Sequence, residues 1–114
     1  MVTKKILAAE AALGALLLTG SLLSGAAKPG NAAKGKELFG SNCDVCHNAD
    51  SAEVKVGPGL KGLFKHESLQ SKKKVTDANV LDIINKGSPS GMPGFADSLT
   101  EQERADVLAY LKTL

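Results

Sequence analysis

The chain is poor in the residues that usually fill a hydrophobic core, since its 114 residues include no Trp, one Tyr and three Phe. It also lacks an excess of one charge, because 14 Lys and Arg face 12 Asp and Glu, which gives a net charge of +2. Nucleic-acid-binding proteins usually carry a strong basic excess, so this balance argues against that class. The length allows one small domain and leaves little room for a substrate-binding domain.

Cysteine, histidine and methionine are scarce as well, with two of each, and one Met is the initiator. A small chain with so few aromatic residues needs another means of stabilisation, such as disulfides, a metal or a large cofactor. A functional site in this chain is therefore expected to draw on these few residues.

The first 27 residues have the layout of a secretory signal peptide. A positively charged start is followed by an apolar stretch over 11–23 and then by small residues. We expect cleavage after Ala26 or Ala27, which leaves 28–114 as the mature domain in the periplasm or another compartment outside the cytoplasm. The alternative is an uncleaved membrane anchor, although the apolar segment is at the short limit for crossing a bilayer.

The mature chain shows helical patterns and no convincing strand, so we expect an all-α fold. A linker over 28–31 ends at Asn31, which is a candidate N-cap. Apolar spacing and capping residues then predict the remaining elements. These are a helix over 32–41, a short helical turn around Leu60–Phe64, a helix over 77–86 capped by Thr76 and stopped by Gly87, and a helix from the capping box of Thr100 and Glu103 to about Thr113.

The strongest signal is the run Cys43-Asp44-Val45-Cys46-His47. Its C-x-x-C-H spacing is the attachment signature of a c-type haem. Two thiols three positions apart can add to the two vinyl groups of one porphyrin, and the adjacent His47 then supplies the proximal nitrogen to the iron. The sequence therefore predicts one covalently bound haem c, held by Cys43, Cys46 and His47.

Three other readings of these residues remain open. The cysteines could form a thioredoxin-like redox pair, although no βαβ pattern surrounds them. Together with His47 and His66 they could bind zinc, although structural zinc sites favour a paired second half that a single His66 does not provide. A plain disulfide between Cys43 and Cys46 is the third reading, and it would leave His47 unexplained.

Met92 is the candidate for the sixth ligand of the iron. It is the one Met in 28–114 and lies in the irregular run Ser90-Gly91-Met92-Pro93-Gly94-Phe95, where packing does not demand it. His–Met and His–His are common axial pairs of haem iron, so His66 is the rival ligand. Because His66 lies in the polar run Lys65-His66-Glu67-Ser68, we expect it to be a surface histidine.

These motifs together resemble the class I cytochromes c, and the resemblance covers 31–114. Val56-Gly57-Pro58-Gly59-Leu60 is similar to the Gly-Pro-x-Leu segment of that family, and Gly91-Met92-Pro93 to its Met-ligand loop. The resemblance implies a small fold of three to four helices wrapped around one haem. It further implies that the Pro58 carbonyl accepts the Nδ1–H of His47.

The resemblance also implies that the first and last helices cross. In that arrangement Gly35 lets the last helix approach closely, and Val107 and Tyr110 pack against Phe39. The interval of 45 residues from His47 to Met92 is similar to that of the short bacterial members.

A six-coordinate iron has no vacancy for a substrate, so these features predict a one-electron carrier between respiratory or photosynthetic redox partners rather than an enzyme. The alternatives are a haem sensor or peroxidase-like protein with a displaceable sixth ligand, and a haem-bearing subunit of a larger complex.

Lysines outnumber acidic residues in the middle of the chain. They could form a docking patch for an acidic partner, or they could belong to a solvated connector, which charge runs more often mark. The residues concerned are Lys61, Lys65, Lys72, Lys73, Lys74 and Lys86.

Overall fold

The computed structural model describes residues 27–114, and all regular elements in that range are helical. In chain order they are α1 (Ala32–Asn42), a 3₁₀ turn (Leu63–Lys65), α2 (Asp77–Lys86) and α3 (Glu101–Leu111). The predicted all-α class is confirmed. The predicted signal peptide lies outside the described residues, apart from Ala27. Within 27–114 the structure contains no helix with the length and apolarity needed to cross a membrane.

Each α-helix begins at the polar side chain that the sequence predicts as its cap. The side chains of Asn31 and Thr76 each accept a hydrogen bond from the backbone N–H three residues later. Thr100 and Glu103 form a reciprocal capping box at the start of α3. Such caps stabilise a helix by about 1 kcal/mol each. At the other end of α2, Gly87 adopts a φ of 75°, which stops the helix where predicted.

A small buried cluster joins the three helices. The Phe39 ring meets the Tyr110 ring edge-on, with centroids 5.4 Å apart, a geometry that contributes about 0.5–1.5 kcal/mol beyond the area buried. This packing agrees with the arrangement that the family resemblance implied. The buried members of the cluster are Phe39 of α1, Val80 and Ile84 of α2, and Val107 and Leu111 of α3.

Helices α1 and α3 cross at Gly35, which is buried. A β-carbon at this position would collide with the backbone carbonyl of Asp106 and would lie 2.8 Å from the β-carbon of Tyr110. The missing side chain therefore sets how closely the two helices approach.

Replacement of Gly35 by Ala is expected to destabilise the haem-loaded protein by about 2–3 kcal/mol, because the helices must move apart. The matched control is Gly40→Ala on the same helix, where a β-carbon meets nothing within 4 Å. That variant should be more stable than the parent by about 0.5–1 kcal/mol, since Ala favours the helix. Guanidinium unfolding curves measure both changes, and shifts of the same sign would contradict the crossing at Gly35.

The segment Lys28–Asn31, predicted as a linker, is instead held against α3. The backbone N–H of Lys28 donates to Gln102 Oε1 at 2.7 Å, and that of Asn31 donates to Asp106 Oδ1 at 2.8 Å. Gln102 Nε2 donates to the same Asp106 oxygen at 3.1 Å, which satisfies a carboxylate that is only 4% exposed. The irregular backbone and the Asn31 cap are as predicted. The contacts with α3 were not predicted, because a backbone donor carries no residue-type signal for a distant acceptor.

Candidate haem site

The turn that carries the two cysteines continues directly from α1. The backbone N–H of Cys43 donates to the Phe39 carbonyl at 2.8 Å, so the turn starts on the last helical turn. The N–H groups of Cys46 and His47 then both donate to the Cys43 carbonyl, at 3.0 and 2.9 Å. Both cysteines are half-buried and neither forms a disulfide. The structure thus brings both thiols and the His47 ring onto one compact turn.

The thiol of Cys43 is a poor candidate for a thioredoxin-like redox pair. Burial, together with the nearby Cys46, raises its pKa from 9.0 to about 11, whereas the reactive cysteine of such a pair has a lowered pKa. The βαβ surroundings of a thioredoxin-like pair are not found among the helical elements of 27–114. Nor does that range contain a group of three His, Cys, Asp or Glu side chains placed to hold a metal ion.

The ring of His47 is fixed in orientation by two neighbouring residues. Its Nδ1 lies 2.8 Å from the Pro58 carbonyl oxygen, so the Nδ1–H donates to that carbonyl. Gly57 lies against the ring, because a β-carbon there would be 2.5 Å from Cε1 and 2.9 Å from Nδ1. The backbone N–H of Gly57 also donates to the Cys46 carbonyl at 2.7 Å. With its proton on Nδ1, His47 leaves Nε2 as the nitrogen available to a metal.

Met92 lies in the loop between α2 and α3, and its side chain is half-buried. The loop folds back on itself, because Ser88 N–H donates to the Met92 carbonyl at 3.0 Å and Gly87 lies against the same oxygen. A hydrogen bond of 2.8 Å from Phe95 N–H to the Ile84 carbonyl ties the loop to α2. Among the described residues, Met92 is not part of the set that packs on the buried cluster, so core packing does not explain it.

His66 and the lysines lie on the surface. His66 follows the 3₁₀ turn and is exposed, as are all six lysines of the predicted patch. Lys86 is paired with Asp82 at 2.8 Å. The hydrogen bond from Lys86 lowers the pKa of Asp82, and the positive charges of Lys86 and Lys73 act in the same direction.

The residues of this turn fit a covalently attached haem. Two half-buried thiols without a disulfide lie three positions apart, and the adjacent imidazole is oriented through Nδ1. The absent β-carbon of Gly57 leaves room for that ring. Cys43 and Cys46 would hold the porphyrin, and His47 Nε2 would hold the iron.

Sequence reasoning missed Arg104, which touches the loop that follows Met92. Its Nη1 donates to the Ala96 carbonyl at 2.9 Å and also to the Leu99 carbonyl. The available signal was helical spacing, because Arg104 shares a helix face with Val107 and Leu111. A cationic side chain on an apolar helix face needs hydrogen-bond acceptors, and here two backbone carbonyls provide them.

Comparison with known proteins supports the same conclusion. Residues 32–114 match the family model described as Cytochrome c. Cytochrome c2 of Rhodopila globiformis is 33% identical over an alignment of 108 residues, gaps included, and the match covers 79% of this chain and 99% of that protein. A cytochrome c-553-like protein of Synechocystis is 34% identical over 85 residues, covering 75% and 70% of the two chains.

A solved structure supports the fold. Cytochrome c6 of the diatom Phaeodactylum tricornutum has a TM-score of 0.60 and 23% identity, and the match covers 74% of this chain and 93% of that one. The chain therefore belongs to the cytochrome c family, so it binds one haem covalently and carries electrons rather than catalysing a reaction.

Proposed function

We propose that this protein is an exported one-electron carrier in which His47 and Met92 are the axial ligands of the haem iron. The observation that carries the proposal is the fixed His47 ring, held by the Pro58 carbonyl at 2.8 Å and by contact with Gly57. A carrier needs a proximal ligand that keeps its position in both oxidation states, and a hydrogen bond through the second ring nitrogen provides this.

The bound haem supplies one-electron chemistry, and the chain's own residues set its properties. Cys43 and Cys46 keep the group attached outside the cytoplasm. The bond to Pro58 makes His47 a stronger ligand, because the carbonyl draws on the Nδ1 proton. Met92 would fill the sixth position, which raises the reduction potential relative to a second histidine and excludes exogenous ligands.

Export rests on the predicted signal peptide over residues 1–27. Covalent attachment suits that location, since a cofactor that dissociates outside the cell cannot be recovered. The small residues that precede Lys28 fit a peptidase site. The mature protein is therefore proposed to work in the periplasm or another extracytoplasmic compartment.

Redox partners would meet a surface that is apolar near the attachment turn. Val45, Val54 and Val56 are each more than 70% exposed. Lys55 Nζ donates to the Asp44 carbonyl at 2.8 Å, which holds the loop carrying two of these valines against the turn. Val54 and Val56 are exposed apolar side chains beside the turn that would carry the haem, and such side chains suit a contact surface. The donor and acceptor proteins would form short-lived complexes here.

Carbon monoxide binding and fractionation test this function against its two alternatives. We expect the ferrous protein to leave carbon monoxide unbound at neutral pH, because Met92 occupies the sixth position. We also expect the haem protein to be released from the cell envelope without detergent, as a single species. Rapid carbon monoxide binding would favour a sensor or peroxidase-like protein, and co-purification with a larger complex in mild detergent would favour a subunit.

A further inference from the structure

The loop that carries Met92 is held from two sides by different kinds of contact. On the α2 side, Phe95 and Ala96 donate backbone hydrogen bonds to the Ile84 and Asn85 carbonyls, at 2.8 and 3.3 Å. These bonds start only three residues after Met92. They fix the loop to the end of α2, and a side chain of α3 contacts the residues that follow.

Arg104 makes that connection. It is half-buried on α3, and Nη1 donates to the Ala96 carbonyl at 2.9 Å and to the Leu99 carbonyl. Ser98 and Leu99 both donate to the Phe95 carbonyl, which closes residues 95–99 into a turn. One guanidinium therefore holds residues near both ends of this turn, which follows Met92 in the same loop.

The charged guanidinium of Arg104 donates its hydrogen bonds to backbone carbonyls and does not pair with a carboxylate. The two ion pairs among residues 27–114 are Lys86–Asp82 and Lys112–Asp77, and neither includes Arg104. Hydrogen bonds from a charged donor are stronger than neutral ones. The planar guanidinium also loses little conformational freedom when it holds two carbonyls.

We propose that Arg104 is a positioning residue that keeps Met92 at the sixth position of the iron. The inference rests on the proposed ligand role of Met92 and adds a regulator of that ligand's strength. The hydrogen bonds of Arg104 go to Ala96 and Leu99, and none goes to Met92 itself. It reduces the fraction of molecules in which the loop moves away and the sixth position is open to another ligand.

The test is binding of imidazole to the ferric, haem-loaded protein, because imidazole competes with Met92. Its apparent dissociation constant equals the intrinsic constant divided by the fraction of open molecules. Arg104→Met should strengthen the apparent affinity about tenfold, since that fraction rises in proportion. Arg104→Lys keeps a charged donor, so its apparent imidazole affinity should lie between those of the parent protein and Arg104→Met.

Gln102→Leu is the matched control on the same helix. It removes the bonds to Lys28 and to Asp106, which are remote in sequence from the Met92 loop. We expect this variant to lower the urea midpoint while it leaves imidazole affinity unchanged. Equal strengthening in Arg104→Met and Gln102→Leu would overturn the inference, because a purely structural loss would then explain both.

Two further outcomes separate this inference from the proposed function. If the unmutated ferric protein lacks the sulfur-to-iron charge-transfer band, Met92 is not the ligand and both proposals fail. If the band is present and Arg104→Met leaves imidazole affinity unchanged, only the role of Arg104 is overturned.

Discussion

Replacement of Met92 by Ala is expected to abolish the sulfur-to-iron charge-transfer band at the red edge of the ferric spectrum. The reduction potential should fall by more than about 0.1 V, which is a modest part of the roughly 0.8 V that axial ligands span. The physical reason is that a thioether favours ferrous iron, whereas water or an added nitrogen ligand does not. The ferrous variant should also bind carbon monoxide, since the sixth position becomes open.

Ser90→Ala is the control for the Met92 loop. Ser90 is exposed, and its hydroxyl forms a hydrogen bond of 2.8 Å with the hydroxyl of Ser88. This variant changes the loop without removing the sulfur, so band and potential should stay as in the parent. An unchanged spectrum in Met92→Ala would remove Met92 from the site, and His66 would become the residue to test next.

The double variant Cys43→Ala, Cys46→Ala is expected to lose both the haem and the cooperative fold. The described part of the chain has only six buried hydrophobic side chains, namely Phe39, Val80, Ile84, Leu99, Val107 and Leu111. Small domains with such limited cores depend on disulfides, metals or cofactors. Circular dichroism should show reduced helix content and a broad thermal change without a midpoint.

Val45→Ala is the control for haem attachment. Val45 lies between the two cysteines but is 72% exposed, so its truncation keeps the C-x-x-C-H spacing and removes no core contact. This variant should be loaded with haem and should unfold cooperatively. A sharp thermal transition in the haem-free double variant would show that the polypeptide alone supplies the core.

Local signals in the sequence were sufficient to predict where the helices lie. The α2 range is predicted to the residue, because Thr76 and Gly87 mark its two ends. The end of α1 lies one residue beyond the prediction, at Asn42, and α3 stops at Leu111 rather than near Thr113. Helix ends fray and the last turn is often irregular, so differences of one or two residues at an end are expected.

The sequence predicts some residues of the candidate site and not others. Cys43, Cys46 and His47 could be identified from spacing alone, because the chemistry of attachment fixes that spacing. The Pro58 carbonyl could be expected only through family resemblance, since a backbone acceptor has no residue-type signature. Two sets of contacts were not predicted, because they depend on how the folded chain brings its segments together. These are the hydrogen bonds from Arg104 to the loop that carries Met92 and those between Lys28–Asn31 and α3.

The most direct test of the central claim is a redox titration of the exported, haem-loaded protein followed by visible absorption. We expect one reversible transition that fits a single electron, with the charge-transfer band of the ferric form disappearing in parallel with reduction. A ferric spectrum without that band, or a titration that needs more than one electron, would contradict an electron carrier ligated by His47 and Met92.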